Sequence, residues 1–86
     1  MREQVPDPNE LDAVTQMELD DIIKRHMMFT QGQNGGSRAV VQYKNLSYLN
    51  FNSSNLSQAD FTGSVFLEAN LSECDFASTT FFALRH

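Results

Sequence analysis

The chain has 86 residues, enough for one small domain with a modest hydrophobic core. Six Lys and Arg residues against eleven Asp and Glu residues give a formal net charge of −5, which disfavours general affinity for nucleic acid or an anionic membrane. The single cysteine, Cys74, excludes an internal disulfide framework. The first residues lack the apolar run of a signal peptide, and no apolar stretch approaches the roughly 18 to 20 residues that span a bilayer. The sequence therefore predicts a cytoplasmic protein with neither nucleic acid nor membrane as a partner.

The first third of the chain divides into a tail and a helix. Residues 1–14 are predicted to be a mobile or partly ordered tail, and residues 15–37 a capping helix followed by a Gly-rich hinge. Thr15 and Glu18 have the spacing of a capping box, and Gly32 is the predicted stop. A stripe at helical spacing consists of Leu19, Ile22, Ile23, His26, Met27 and Phe29. We expect this stripe to cover the open end of the structure that follows.

Large apolar residues then recur at every fifth position. They are Val41, Leu46, Phe51, Leu56, Phe61, Phe66, Leu71 and Phe76, and Phe81 continues the series. A period of five fits neither the 3.6-residue period of a helix nor the two-residue period of a strand. A chain that bends after each five-residue unit would return every large side chain to one inward direction, winding as a coil with sheet-like spacing between turns.

The segments KNLSY, SNLSQ, ADFTG and ANLSE resemble the pentapeptide-repeat family, whose pattern is a small residue, Asn or Asp, Leu or Phe, and two polar positions. The resemblance implies a mainly β fold, a right-handed quadrilateral β-helix of about two coils over residues 38–86 with an N-terminal helix cap. Four units per coil would stack each residue on the one twenty positions later. Two positions before each central residue the family has a small inward residue, from which Lys44 and Leu49 depart. We interpret both departures as effects of the terminal coil.

The stretch ahead of the repeats also resembles the lead-in of many bacterial pentapeptide tracts. That lead-in has a helix with a His and an aromatic residue, a glycine-rich hinge and an Arg-Ala pair. The corresponding residues are His26, Phe29, Gly35, Gly36, Arg38 and Ala39. A bacterial source is implied by this resemblance alone.

Catalytic and cofactor sites are not expected. Cys74 falls at a small inward position of the coil and His26 at a cap position, and neither has a partner at a motif spacing. The His, Cys and acidic residues show no zinc-finger or HExxH arrangement, and GQNGGS lacks the ending of a phosphate loop. The sequence therefore predicts a protein that is not an enzyme and binds no metal or other cofactor.

Outward apolar residues suggest an interface. Val65 and Leu67 flank Phe66 and are predicted to point outward, and Phe82 is predicted to face out beside Phe81. No capping helix is evident after Phe82, so the final coil would leave strand edges and Phe81 near water. The candidate interface is Val65, Leu67, Phe81 and Phe82. Either a second copy docks there, through the C-terminal coil or the Val65, Leu67 and Phe82 corner, or the chain is a fragment of a longer solenoid.

Two functions are consistent with these features of the sequence. The first is a non-catalytic protein-interaction or scaffolding module that associates with a protein partner or with itself. The alternative comes from the family resemblance, because some pentapeptide-repeat proteins mimic duplex DNA and inhibit or protect DNA gyrase. Residues 38–86 carry three basic and four acidic residues, a net charge of only −1, and two coils extend roughly 10 Å at sheet spacing. Both values argue against DNA mimicry.

Overall fold

The computed structural model describes residues 11–81. Strand β1 (Asp12–Ala13) is followed by helix α1 (Gln16–Thr30) and strand β2 (Lys44–Asn45). The two strands pair in parallel, with Asp12 opposite Lys44 and Ala13 opposite Asn45. The predicted tail, residues 1–14, thus includes a paired strand at its end, and residues 1–10 lie outside the described part.

Helix α1 begins and ends where its sequence signals lie. The Thr15 hydroxyl accepts a bond from the Glu18 N–H at 3.1 Å, and the Glu18 carboxylate accepts one from the Thr15 N–H at 2.9 Å. This is the reciprocal capping box that the sequence predicts. After Thr30 the chain turns through Gly32, whose φ of 71° is readily adopted by glycine.

From residue 40 onward the chain pairs with itself at intervals of twenty residues. The parallel bridges are Val40–Asp60, Asn45–Val65, Asn50–Asn70, Asn55–Asp75 and Asp60–Thr80. We call each bridged set a ladder, so one circuit of the chain crosses four ladders, beginning at Val40, Asn45, Asn50 and Asn55. The twenty-residue stacking expected from four units of five residues is therefore present.

The bends between ladders occur two positions after each central residue. A positive φ recurs at every fifth position, at Tyr43, Tyr48, Ser53, Gln58, Gly63, Glu68, Glu73 and Ser78. Only one of these is glycine, so the other side chains adopt a conformation that costs them roughly 1 kcal/mol each. The backbone bonds of the ladders on both sides hold the chain in these bends, for example Leu46 N–H to the Val65 carbonyl at 2.8 Å.

Asn and Asp at the ladder positions fix the backbone that follows them. Each side-chain oxygen accepts a bond from the N–H two residues later, as in Asn50 with Asn52 at 2.8 Å and Asp75 with Ala77 at 2.9 Å. The same bond forms at Asn45, Asn55, Asp60 and Asn70. The sequence predicts such local bonding, and the structure adds that the bend itself lies three residues further on.

The core consists of the central residues, with the first coil buried most completely. Leu46, Phe51, Leu56 and Phe61 are fully buried and Val41 nearly so. Phe66, Leu71 and Phe76 are partly buried and pack against them. The rings of Phe61 and Phe81, twenty residues apart, stack at 5.9 Å.

Small inward residues also bond the preceding coil. The hydroxyls of Ser64 and Thr79 donate to the carbonyls of Val41 and Leu56 at 2.8 and 2.7 Å. The two departures from the small-residue pattern are accommodated differently. Lys44 extends to Asp12 of β1, with 3.6 Å between Nζ and Oδ2, and Leu49 packs against the core.

Helix α1 covers the coil with a narrower surface than its apolar stripe suggests. Leu19, Ile23 and His26 are buried, and Ile22 is half-buried. Met27 and Phe29 remain exposed, so their assignment to a buried stripe was wrong. A helix lying across the end of a coil presents only its closest residues to it, about one per turn.

Candidate interaction surface

The largest outward apolar residues of the second coil lie on the Asn45 ladder. Val65 is bridged to Asn45 and is half-buried, whereas the Leu67 side chain is 51% exposed. The Leu67 N–H donates to the Ser47 hydroxyl at 3.1 Å, and its carbonyl accepts from the Tyr48 N–H at 2.8 Å. Backbone pairing thus fixes Leu67 beside Ser47 and Tyr48.

Tyr43 lies before this ladder, against Gly63. Its N–H donates to the Thr62 carbonyl at 2.9 Å, and its ring covers the position where a Gly63 Cβ would stand. Gly63 is buried beneath the ring, while 45% of Tyr43 remains exposed. Tyr48 closes the other end of the ladder and is 71% exposed.

These four residues form one surface, which we call the apolar strip: Tyr43, Tyr48, Val65 and Leu67. Charged groups stand at its diagonal corners, with Lys44 in the first coil at the start of the ladder and Glu68 in the second coil at its end. The Asn50 and Asn55 ladders carry Asn, Asp, Ser and Ala at the equivalent outward positions. The strip is therefore more apolar than the outer surface of the Asn50 and Asn55 ladders.

The residues that the sequence grouped as an interface fall in separate places. Val65 and Leu67 lie on the strip. Phe81 packs inward, with its ring centroid 5.7 Å from that of Phe66 and 5.4 Å from that of Phe76, although it is 41% exposed. Phe82 lies outside the described residues.

Tyr43 and Tyr48 were missed because each was treated as a polar outward position. The twenty-residue stacking contained the signal for Tyr43, since it places that ring over Gly63.

The two residues considered for nucleophilic chemistry have structural partners. His26 is fully buried, its Nδ1 accepting from the Ala39 N–H at 2.9 Å and its Nε2–H donating to the Ser57 carbonyl at 2.7 Å. Neither ring nitrogen is left for a general base. The Cys74 thiol lies 3.8 Å from the Phe51 carbonyl oxygen inside the coil.

The lead-in residues hold the helix to the coil. The ring centroids of His26 and Phe29 are 5.7 Å apart. A Cβ built on Gly36 would lie 2.4 Å from the backbone nitrogen of Phe29, so the hinge passes close to the helix. The Arg38 guanidinium donates to the Gln58 carbonyl at 2.6 Å. These residues therefore have a structural role, which is to hold helix α1 against the coil.

Asp60 has a perturbed acidity. Its carboxylate accepts bonds from the Thr62 hydroxyl and N–H and from the Gln42 amide, and these bonds lower its pKa below the usual 3.8. In residues 11–81 no three His, Cys, Asp or Glu side chains group as a metal site. The same part of the chain contains no helix long and apolar enough to cross a membrane.

A comparison with protein families matches residues 45–81 to pentapeptide repeats, in eight copies. The matched range includes three of the four strip residues and the central residues from Leu46 to Phe81. Comparisons with curated proteins and with solved structures give no match.

Proposed function

Because its residues 45–81 make this chain a pentapeptide-repeat protein, we propose that it is a non-catalytic protein-interaction module that associates with a second copy of itself through the apolar strip. The observation that carries the proposal is that Tyr48 and Leu67 lie on the Asn45 ladder and Tyr43 lies directly before it, with all three exposed. Repeat proteins of this kind often mediate protein interactions, and tyrosines are enriched at such interfaces. A cytoplasmic location and a bacterial source are part of the same proposal.

The charges bordering the strip favour a second copy as the partner. A two-fold axis that lies in the plane of the interface, at right angles to the line from Lys44 to Glu68, brings each of these corners opposite the other corner of the second copy. Lys44 of one copy then lies opposite Glu68 of the other, twice per dimer, while the apolar side chains meet between them. The strip is thus complementary to a second copy of itself, because opposite charges meet at the corners and apolar side chains meet between them.

Sedimentation equilibrium of the wild-type chain and of Leu67→Lys tests the proposal. Leu67 is half exposed, so a lysine there preserves the fold but introduces a charge into the interface. Met17→Lys is the matched control, because Met17 is a more exposed apolar residue on helix α1, away from the strip. We expect a concentration-dependent dimer for the wild type and Met17→Lys, and a monomer for Leu67→Lys. A wild-type monomer at high micromolar concentration would refute self-association.

We also propose that the repeat region has the finer geometry implied by its family, a right-handed quadrilateral β-helix of about two coils. Four ladders per twenty residues support this shape. A crystal structure with a left-handed coil or a three-sided cross-section would contradict it.

The gyrase alternative has less support. A mimic of duplex DNA needs rows of carboxylates in place of phosphates. The acidic residues between 38 and 81 are Asp60, Glu68, Glu73 and Asp75, and the first and last of these lie on different ladders. Inhibition of gyrase supercoiling by sub-micromolar protein would reverse this ranking.

A further inference from the structure

The N-terminal edge of the coil is completed by different groups on two neighbouring ladders. On the Asn45 ladder, β1 pairs with β2, and the Asn45 carbonyl accepts from the Val14 N–H at 3.0 Å. On the Asn50 ladder, the Gln16 side chain takes the place of a strand. Its oxygen accepts from the Asn50 N–H at 2.9 Å and its amide donates to the Asn50 carbonyl at 2.7 Å.

The Val40 ladder has no such partner among the residues that the structure describes. Within residues 11–81 the N–H and carbonyl of Val40 form no hydrogen bond, and the residue is 54% exposed. Its neighbours bond to the second coil, through the Val41 N–H and the Ala39 carbonyl, so the free pair points to the opposite, N-terminal edge. The N–H and carbonyl of Asn55 on the fourth ladder also form no hydrogen bond with the described residues, but His26 and Arg38 bond the carbonyls of Ser57 and Gln58 that follow it.

A groove of about 700 Å³ opens over this free edge. Val40 and Val41 line it from the coil, and Met17 and Ile22 line it from helix α1. Val14, which follows β1, also lines it. A hydrophobic groove with an unpaired strand edge in its floor is the arrangement that accepts an extended peptide as an added strand.

The rim of the groove is acidic. Asp12, Glu18 and Asp21 contribute three carboxylates, and Lys44 contributes one ammonium group. Lys44 pairs with Asp12 at 3.6 Å, and Arg25 pairs with Asp21 from outside the groove at 2.9 Å. Both pairs are solvent-exposed and can exchange partners at little energetic cost.

We propose that this groove binds an extended, basic and apolar segment of a partner protein, which adds as a strand to the Val40 edge. The segment's backbone bonds the Val40 N–H and carbonyl, alternate apolar side chains enter the groove, and its basic side chains meet the carboxylates of the rim. The site shares Lys44 with the border of the apolar strip, but none of the four strip residues lines the groove, and the proposal does not depend on self-association.

The basic charge expected of the bound segment argues against the chain's own residues 1–10 as the occupant of the groove. Residues 1–10 contain Arg2 against Glu3, Asp7 and Glu10, so their side chains carry a net charge of −2. An acidic segment would be repelled by an acidic rim. The groove therefore favours a basic segment from another protein over residues 1–10.

Amide hydrogen exchange and NMR titration of the full-length chain test this inference. The probes are the capped peptides acetyl-Lys-Val-Thr-Val-Lys-amide and acetyl-Glu-Val-Thr-Val-Glu-amide. We expect the basic peptide to bind at least roughly ten times more tightly, to shift resonances of residues 12–22 and 40–44, and to slow exchange of the Val40 amide. Equal binding of the two peptides, or an unchanged Val40 exchange rate in the complex, would overturn the proposal. Protection of the Val40 amide in the free chain would overturn it in favour of residues 1–10.

Variants separate the backbone contact from the groove. Val40→Pro removes an N–H that forms no hydrogen bond within residues 11–81, whereas Val40→Ala keeps it. We expect Val40→Pro to abolish binding and Val40→Ala to weaken it by a few fold. Met17→Lys, at a position 82% exposed, should weaken binding of the basic peptide without unfolding risk. Leu67→Lys on the apolar strip is the control and should leave binding unchanged. Loss of binding in Leu67→Lys, or full binding in both Val40→Pro and Met17→Lys, would contradict the assignment.

Discussion

The ring of Tyr43 lies directly on Gly63, twenty residues later in the chain. A Cβ built on Gly63 would stand 2.4 Å from both Cδ1 and Cε1 of Tyr43, and Gly63 has a φ of 72°. Every other positive-φ position in the repeat carries a side chain. Glycine at position 63 is therefore required by the tyrosine above it, and the pair sets one end of the apolar strip.

Gly63→Ala should destabilise the protein more than Gly32→Ala. Both glycines have a φ near 71°, but nothing lies within 4 Å of a Cβ on Gly32. The two substitutions share the conformational penalty, and the excess at Gly63, about 1 to 2 kcal/mol, reports the clash with Tyr43. Urea unfolding provides the comparison. Adding Tyr43→Ser should remove the excess, and an excess that persists in the double variant would disprove this explanation.

The core should be most sensitive in the first coil. Phe51 is fully buried with its ring 6.1 Å from that of Phe61 and 5.8 Å from that of Phe66, so Phe51→Ala should reduce the free energy of unfolding by about 3 to 5 kcal/mol. Phe81→Ala, at the less buried end of the same set, should reduce it by less than half as much. Equal losses in chemical denaturation would mean that the two ends of the coil are equally packed.

His26→Gln should loosen the cap. The histidine bridges helix α1 to the Ala39 N–H and the Ser57 carbonyl, and glutamine cannot hold both at once with the geometry of the ring. Leaving buried backbone groups unpaired should cost about 2 to 4 kcal/mol of stability. Lys24→Gln on the exposed side of the same helix is the control and should change the free energy of unfolding little. A loss of stability in His26→Gln no larger than the small loss expected for Lys24→Gln would show that His26 is dispensable.

Acid should remove a stabilisation that depends on Asp60. Bonds from Thr62 and Gln42 lower the pKa of Asp60 in the folded chain, so its ionised form stabilises the fold above the unfolded value near 3.8. That contribution disappears as the pH falls below 3.8 and through the lower folded pKa. The stability advantage of the wild type over Asp60→Asn should therefore be present at pH 7 and shrink below pH 3.8. An advantage that grows on acidification would contradict the sign of this linkage.

The orientation of the proposed dimer can be tested by exchanging charges. Lys44→Glu and Glu68→Lys should each weaken association, because each places like charges opposite one another across the two-fold axis. The double variant should recover at least part of the lost affinity in sedimentation experiments. Additive losses in the double variant would exclude the antiparallel pairing of the strip.

The repeat could be predicted because a constant spacing of five residues determines which positions pair. Five-residue spacing from Val41 to Phe81, with four units per coil, specifies that Asn50 pairs with Asn70, and the bridge is present. The capping box of Thr15 and Glu18 could also be predicted, since it depends only on residues within one turn.

Features that depend on distant partners could not be predicted in the same way. Asp12–Ala13 has no strand pattern of its own and pairs because β2 offers an edge 32 residues later. The positive φ at Tyr43 and Glu68 runs against local preference and is imposed by ladder bonds on both sides. The exposure of Met27 and Phe29 depends on how the helix lies across the coil, which helical spacing alone does not determine.

Isotope-filtered NOE spectroscopy on a mixture of labelled and unlabelled chains tests the proposed interface most directly. Self-association through the strip predicts intermolecular contacts between the Tyr43 or Tyr48 rings of one copy and the Val65 or Leu67 methyl groups of another. An absence of intermolecular contacts at millimolar concentration would contradict it. Contacts confined to Phe81 would instead place the interface at the C-terminal end of the coil.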